Sequence, residues 1–353
     1  MENTTETVPL VFEVEVPDIP LNYCDFYADK TDEGVCWTFH TERIDFYIKV
    51  IFVSLMIIVG VIGNLLLGLT VLVSPRLRSR SINIFIANLS ISNVIQLLVV
   101  APIVTIDNMS EFFLFGELGC KIKPVLQNVF FIVPMLSILV ISIDRFLAIR
   151  FPFRDLTYKF IAVSICFIIW IIGVGVSSVE AEGQIYQRFI FQDISLDVCL
   201  ARWSWSNTDP DDPDSYTWRN QRIYKLTFIS LVFFFPFSGV ILFYSCLLLN
   251  MKRFYKKIGL MDRTHRTNVR NIAKMVILVL STTVICWSPL AVFWLQKYIP
   301  EYKEYKEGSG FLRTENKSLF FFVSECMAFV YSCFQPAIFF LTGTKLRFVL
   351  IIS

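Results

Sequence analysis

The sequence predicts an all-α membrane protein, a bundle of seven transmembrane helices with an extracellular N-terminus and a short amphipathic eighth helix. Three observations predict it: the composition, seven long apolar runs, and the uneven placement of charge between them. Hydrophobic residues make up 55% of the 353, charged residues only 18%, and Phe alone occurs 35 times. Mean hydropathy is +0.60. A soluble domain of this length covers its core with charge, so the bilayer must serve as part of the solvent.

The apolar runs lie near 46–73, 82–106, 124–143, 160–179, 226–249, 275–296 and 318–341. Each is about 20 residues or longer, the length a spanning helix needs. Seven crossings put the two ends of the chain on opposite sides. The connections 74–81, 150–159 and 250–274 and the tail from 342 carry sixteen Lys and Arg against two acids, Asp155 and Asp262. The other side holds twenty-six acids and far fewer bases. Cytoplasmic loops collect Lys and Arg. The N-terminus is therefore expected outside, the C-terminus inside, and the protein at the plasma membrane.

Three regions follow: an extracellular arm (1–45), a membrane domain (46–341) and a short cytoplasmic eighth helix or tail (342–353). The arm has eleven acids and two bases and no secretory signal pattern, so the first helix is expected to act as signal anchor. The sequons at Asn3, Asn108 and Asn316 all fall on the expected outer side, as glycosylation requires. Four cysteines, Cys24, Cys36, Cys120 and Cys199, share that oxidising side. They allow three pairings, of which Cys24–Cys36 with Cys120–Cys199 is preferred.

Outside the spans, Gln187–Gln192 and Val198–Trp203 read as two strands around a turn at Asp193–Asp197, followed by an acidic stretch from Asn207. The loop at 250–274 carries eight of the cytoplasmic bases. It suits anionic lipid headgroups and, secondarily, an acidic cytoplasmic partner.

Short motifs sit at matching depths on successive helices. They are Gly63-Asn64, Asn88-Leu89-Ser90-Ile91-Ser92-Asn93, Cys120, Asp144-Arg145-Phe146-Leu147-Ala148-Ile149 with Pro152, and Trp170. Further along come Pro236 with Tyr244, Cys286-Trp287-Ser288-Pro289, and Gln335-Pro336-Ala337-Ile338-Phe339. Together they resemble the signature of rhodopsin-like (class A) G-protein-coupled receptors over roughly residues 46–350. The resemblance implies a receptor without enzymatic activity that engages a heterotrimeric G protein. In that scheme Asp144 holds Arg145 at rest, Pro289 beside Trp287 lets helix 6 swing outward, and Tyr244 joins the active arrangement. Pro336 and Phe339 belong to the switch on helix 7, and Pro152 with Phe153 to the loop that docks the G protein.

The chain departs from the family pattern in five places: Asn93 for the usual Asp, Pro134 for Ser, Gln335 for Asn, Phe339 for Tyr, and Thr283 for a common Phe. The first three remove the charge and ligands of the family's internal sodium site. Altered activation, including weak or constitutive signalling, is the expectation that follows.

Gln127 and Arg145 are eighteen residues apart, five turns or about 27 Å on one helical face. Gln127 stands where aminergic receptors carry an Asp, and Phe329 where opsins carry the retinal-binding Lys. Gln127 resembles instead neuropeptide Y, orexin and RFamide-type receptors, which implies a peptide ligand. Glu325 is an acid deep in an apolar run, a functional position by default because membrane burial is costly. Asp107, at the outer end of helix 2, is a weaker version of the same idea. Gln127, Glu325, Asp107 and Trp287 are thus the expected ligand contacts, and a basic, C-terminally amidated peptide the expected ligand. A receptor for a lipid or small molecule is the alternative. Inverted repeats and broken helices of a transporter, acid pairs or H-E-x-x-H of a membrane enzyme, and any cofactor, metal or nucleic-acid pattern are missing from the sequence.

Overall fold

The computed structural model describes residues 44–110, 113–151, 159–191, 194–201, 213–258, 263–299 and 314–342. Asn3, Cys24, Cys36, Pro152, Phe153 and the expected eighth helix lie outside them. Among the described residues, seven helices are long and apolar enough to cross a membrane. Helix α1 is Ile44–Val73. Helix α2 runs through three consecutive pieces, Ser81–Ile95, Gln96–Val100 and Ala101–Met109. Helix α3 is Gly116–Arg150 and α4 Lys159–Glu182. A hairpin of β1 (Gln184–Phe191) and β2 (Ile194–Ala201) follows. Helix α5 again has three pieces, Pro213–Ile229, Ser230–Phe234 and Phe235–Ile258. Helices α6 (Arg263–Tyr298) and α7 (Thr314–Thr342) complete the bundle.

The middle pieces of α2 and α5 are each one π-helical turn. Ala101 donates its backbone N–H to Gln96 and Phe235 to Ser230, five residues back. Both turns stand one position before a helix piece with Pro at its second residue, Pro102 and Pro236. Proline cannot donate the ordinary bond, and a widened turn accommodates its ring.

Helix α3 is the central strut, packed against α2, α4 and α5; α1 leans on α2 and α7, and α7 on α6. In α2, α3 and α7 56% of the most apolar window is buried within the protein, against 28% in α1 and α4. The latter therefore turn most of their apolar surface outward, with Val59, Phe167 and Ile171 each more than 60% exposed. Such a girdle is stable only against lipid.

Close helix approach depends on Gly60 of α1. A Cβ built there would lie 2.5 Å from Leu97 Cδ1 and 2.7 Å from Cys333 Sγ, and Leu97 is fully buried. Gly60→Leu should lower stability by about 1–3 kcal/mol through overpacking, read as a lower midpoint in thermal unfolding of purified protein. An unchanged midpoint would show that α1 can move away freely.

Two boundaries differ from expectation. Lys252–Lys257 lie on the continuation of α5, and Arg263–Lys274 on the start of α6. Only 259–262 separate them, because Lys and Arg are good helix formers and a helix need not stop at the membrane surface. The strand bounds of the hairpin also shift, since Ile194–Asp197 belongs to β2 and not to the turn. Arg188 lies opposite Asp197 and grips its carboxylate with Nε at 2.6 Å and Nη2 at 3.0 Å. That bidentate pair holds the Asp197 carboxyl below its ordinary range. The Phe113 amide donates to Asp197 O at 2.9 Å, tying the segment before α3 to the hairpin.

Candidate functional site

A cavity of about 220 Å³ opens among the outer halves of α3, α5, α6 and α7, with Gln184 of β1 and Ala201 of β2 at its rim. The hairpin is held over it by a disulfide between Cys120 at the top of α3 and Cys199 of β2, Cα–Cα 5.6 Å. This is one of the two disulfides expected; the other falls outside the described residues.

Gln127 and Glu325 both line the cavity and meet each other, Gln127 Nε2 donating to Glu325 Oε1 at 2.5 Å. The second carboxylate oxygen of Glu325 accepts from Asn108 Nδ2, also at 2.5 Å. Glu325 is 3% exposed, so these amides supply the hydrogen bonds its burial demands. Asp107 does not join them. It pairs with Lys123 of α3, so the acid expected to meet a ligand is already matched by a cation of the protein. Asn108, read as a glycan acceptor, turns its amide into the bundle instead, because the buried carboxylate needs a donor. Asn316 lies in the first turn of α7, before the membrane segment that begins at Leu319.

Trp287 is also repositioned. It does not line the cavity but lies one layer below, 1% exposed, with its ring edge-on to Phe131 at 4.3 Å and to Tyr331 at 5.7 Å. Phe131, which does line the cavity, stands between them. The Trp287 indole N–H is buried without a hydrogen-bond partner among the described residues.

A second polar cluster was not foreseen. Glu180, at the outer end of α4, is 2% exposed. It receives Lys225 Nζ of α5 at 2.6 Å and Asn128 Nδ2 of α3 at 3.3 Å. Lys225 also sits 4.9 Å from the centroid of Trp294 on α6. Lys297, one turn further along α6, lies over the same Trp294 at 5.8 Å and over Tyr298 at 5.5 Å. Glu180 and Lys225 escaped the sequence reading because each falls one residue beyond an apolar run. Both helices continue past the point where hydropathy stops. The signal available was an acid and a base at the outer ends of consecutive spans.

Deeper in the bundle, where the resemblance implies a sodium site, the structure has a neutral network. Asn93 Nδ2 donates to Asn64 Oδ1 at 3.0 Å and Gln335 Oε1 at 2.5 Å. Ser332 Oγ donates to Gln96 Oε1 at 2.8 Å, and Asn64 Nδ2 to Ser332 O at 2.9 Å. Amides carry both donors and acceptors, so the network closes on itself with no formal charge. Among the described residues no cluster of acids, His or Cys suits a metal ion.

At the inner end of α3, Asp144 is 7% exposed. Its Oδ2 accepts from Arg145 Nη2 at 2.7 Å and its Oδ1 from Ser81 Oγ, at the start of α2, at 2.5 Å. Arg145 Nε and the hydroxyl of Tyr244 are buried without hydrogen-bond partners among the described residues. Pro289 and Pro336 lie inside α6 and α7, and Phe339 is buried in the core cluster that includes Tyr244.

A family model described as 7 transmembrane receptor (rhodopsin family) matches residues 63–339. Among curated proteins, the chain is 26% identical over 246 residues to a protein named blue-sensitive opsin from Carassius auratus. The alignment covers 69% of this chain and 66% of that relative.

Proposed function

Because this chain belongs to the rhodopsin family of seven-transmembrane receptors, we propose that it is a plasma-membrane receptor, not an enzyme, that binds an extracellular ligand and activates a heterotrimeric G protein. The observation that carries this reading is the continuity of α3. One helix bears Gln127 at the outer cavity and the Asp144–Arg145 pair at the inner end. Buried polar atoms without partners are uncommon, and Tyr244 Oη and Arg145 Nε are two of them at that end. They suit a second arrangement, with α6 moved outward about Pro289, in which the tyrosine and the arginine find partners. The N-terminus is outside in this reading, on the side of the hairpin and the disulfide.

The ligand we infer is a peptide with a basic group directed at Glu325. A cavity of about 220 Å³ is below the roughly 300–1,000 Å³ that encloses a drug-sized molecule. It admits one or two side chains, leaving the rest of a ligand to the hairpin above. The relative's name points to a second reading, a light receptor. Retinal attachment needs a lysine amine within α7, where residue 329 is a buried Phe. The cavity's lysines, Lys123, Lys225 and Lys297, stand on α3, α5 and α6.

Guanine-nucleotide exchange on purified G proteins, screened with a panel of basic and neutral peptides, tests the proposal. Exchange promoted by a cationic peptide supports it. Failure across the panel with well-folded receptor removes the assigned ligand class. For a cationic hit, Glu325→Gln should weaken binding by about tenfold to a hundredfold, since a charge-assisted bond is worth about 1.5–3 kcal/mol. Unchanged affinity would reassign the cation to another acid.

A further inference from the structure

The cavity is dipolar. On its α2–α3–α7 side, Asp107 and Glu325 face one cation, Lys123. On its α4–α5–α6 side, Lys225 and Lys297 face one acid, Glu180. The first side is thus left net negative and the second net positive, the more so because Arg222 of α5, bonded to the carbonyl of the lining Tyr298, adds a further cation behind that wall.

Among the described cations that line the cavity, Lys297 is the unmatched one, since Lys123 pairs with Asp107 and Lys225 with Glu180. Lys225 satisfies Glu180, and Asn128 takes the other oxygen of that carboxylate. Lys297 has no carboxylate within ion-pair distance among the described residues; its contacts are the faces of Trp294 and Tyr298. A simpler role for a lysine in the last turn of a helix is to neutralise the carbonyl end. Here Arg222 of α5 already fills that role. Its Nε donates to Tyr298 O at 2.9 Å and its Nη2 to Ile299 O at 2.7 Å. The Lys297 ammonium is left half-buried at the cavity wall, on an aromatic platform it shares with another cation. Glu180 already answers the charge of Lys225, so it is Lys297 that gains from an anion placed against it.

We propose that the α5–α6 wall is a carboxylate subsite, with Lys297 as its principal contact, so that the ligand carries an acidic group at a distance from its basic one. The ligand end is then a free C-terminal carboxylate or an acidic side chain, not the amidated end inferred from Gln127. That amide side chain is engaged by Glu325. An anion seated here bridges α6 to α5, so its binding bears directly on the helix expected to move. The inference rests on the cavity's being the ligand site, but its test does not require signalling.

The test uses purified full-length receptor in detergent and acetyl-Arg-(Gly)n-Leu peptides with one to three glycines, each made as the free acid and as the C-terminal amide. Binding is read from ligand-dependent thermal unfolding. We expect at least one free acid to bind about tenfold tighter than its amide, the size of one charge-assisted contact. The preference should be lost in Lys297→Gln and restored in Lys297→Arg. Three results overturn the proposal: no binding by any free acid at millimolar concentration, equal binding of acids and amides, or an acid preference that survives Lys297→Gln. If Lys297→Gln does not fold, Lys297→Met, which keeps the side chain's stem against Trp294 and Tyr298, takes its place with the same outcomes. A receptor that shows this preference yet promotes no nucleotide exchange sinks the signalling role and leaves the subsite standing.

Discussion

Replacing Asp144 by Asn should raise basal nucleotide exchange about tenfold, the effect of moving a two-state equilibrium by about 1.4 kcal/mol. Asp144 is the junction of two elements, accepting from Arg145 of its own helix and from Ser81 of α2. Asn matches its shape but withdraws the charge, and charged hydrogen bonds are worth about 1.5–3 kcal/mol each. Arg145 is 27% exposed, so solvent screening reduces that gain, and the lower end applies. Ser81→Ala removes one donor and leaves the ion pair, so it should raise basal exchange in the same direction by less. The measurement is GTPγS uptake by purified G protein at matched receptor density. Basal exchange unchanged or lowered in Asp144→Asn would mean that the pair does not hold the resting state.

Lys225→Met should destabilise the receptor by about 3–5 kcal/mol, because it strands Glu180 in a buried site without its cation. The side chains of the pair are only 9% and 3% exposed. Asn128, at 3.3 Å, cannot replace an ammonium at 2.6 Å. Breaking such a pair costs much more than exchanging both partners for apolar groups of similar volume. The double variant Glu180→Leu/Lys225→Met should therefore recover most of the loss. Thermal unfolding of the three proteins in detergent measures the coupling. Additive losses in the double variant would show that the two residues do not act as a unit.

The helices were legible because about 20 apolar residues with few charges have hardly another stable fate in a bilayer. Arg145, Tyr244 and Pro289 were legible through the motifs that contain them. The pairing of Gln127 with Glu325 was half legible. Each side chain stood out alone, but their direct contact depends on how α3 and α7 are rotated, which one-dimensional spacing does not encode. Lys225 and Glu180 were obscured for a different reason. Hydropathy marks where the lipid ends, whereas a helix ends where its backbone bonds do, and α4 continues to Glu182. The hairpin is legible, but the start of its second strand is not, because the acids of Asp193–Asp197 look like a turn until Arg188 is seen opposite Asp197.

The π turn at Gln96–Val100 has a consequence for which residue of α2 looks inward. Inserting one residue into a turn retards everything beyond it by about one residue's rotation, roughly 100°. Counting outward from the inward-facing Asn93 with an unbroken 3.6-residue period, Asp107 falls nearer the bundle axis than Asn108. With the extra residue the order reverses. The carboxamide of Asn108 swings round to Glu325, and Asp107 is carried sideways to Lys123. The identity of the group that meets α7 is thus set three turns away by the pitch of the helix. Excising one residue from that widened turn would present an acid to Glu325 in place of an amide.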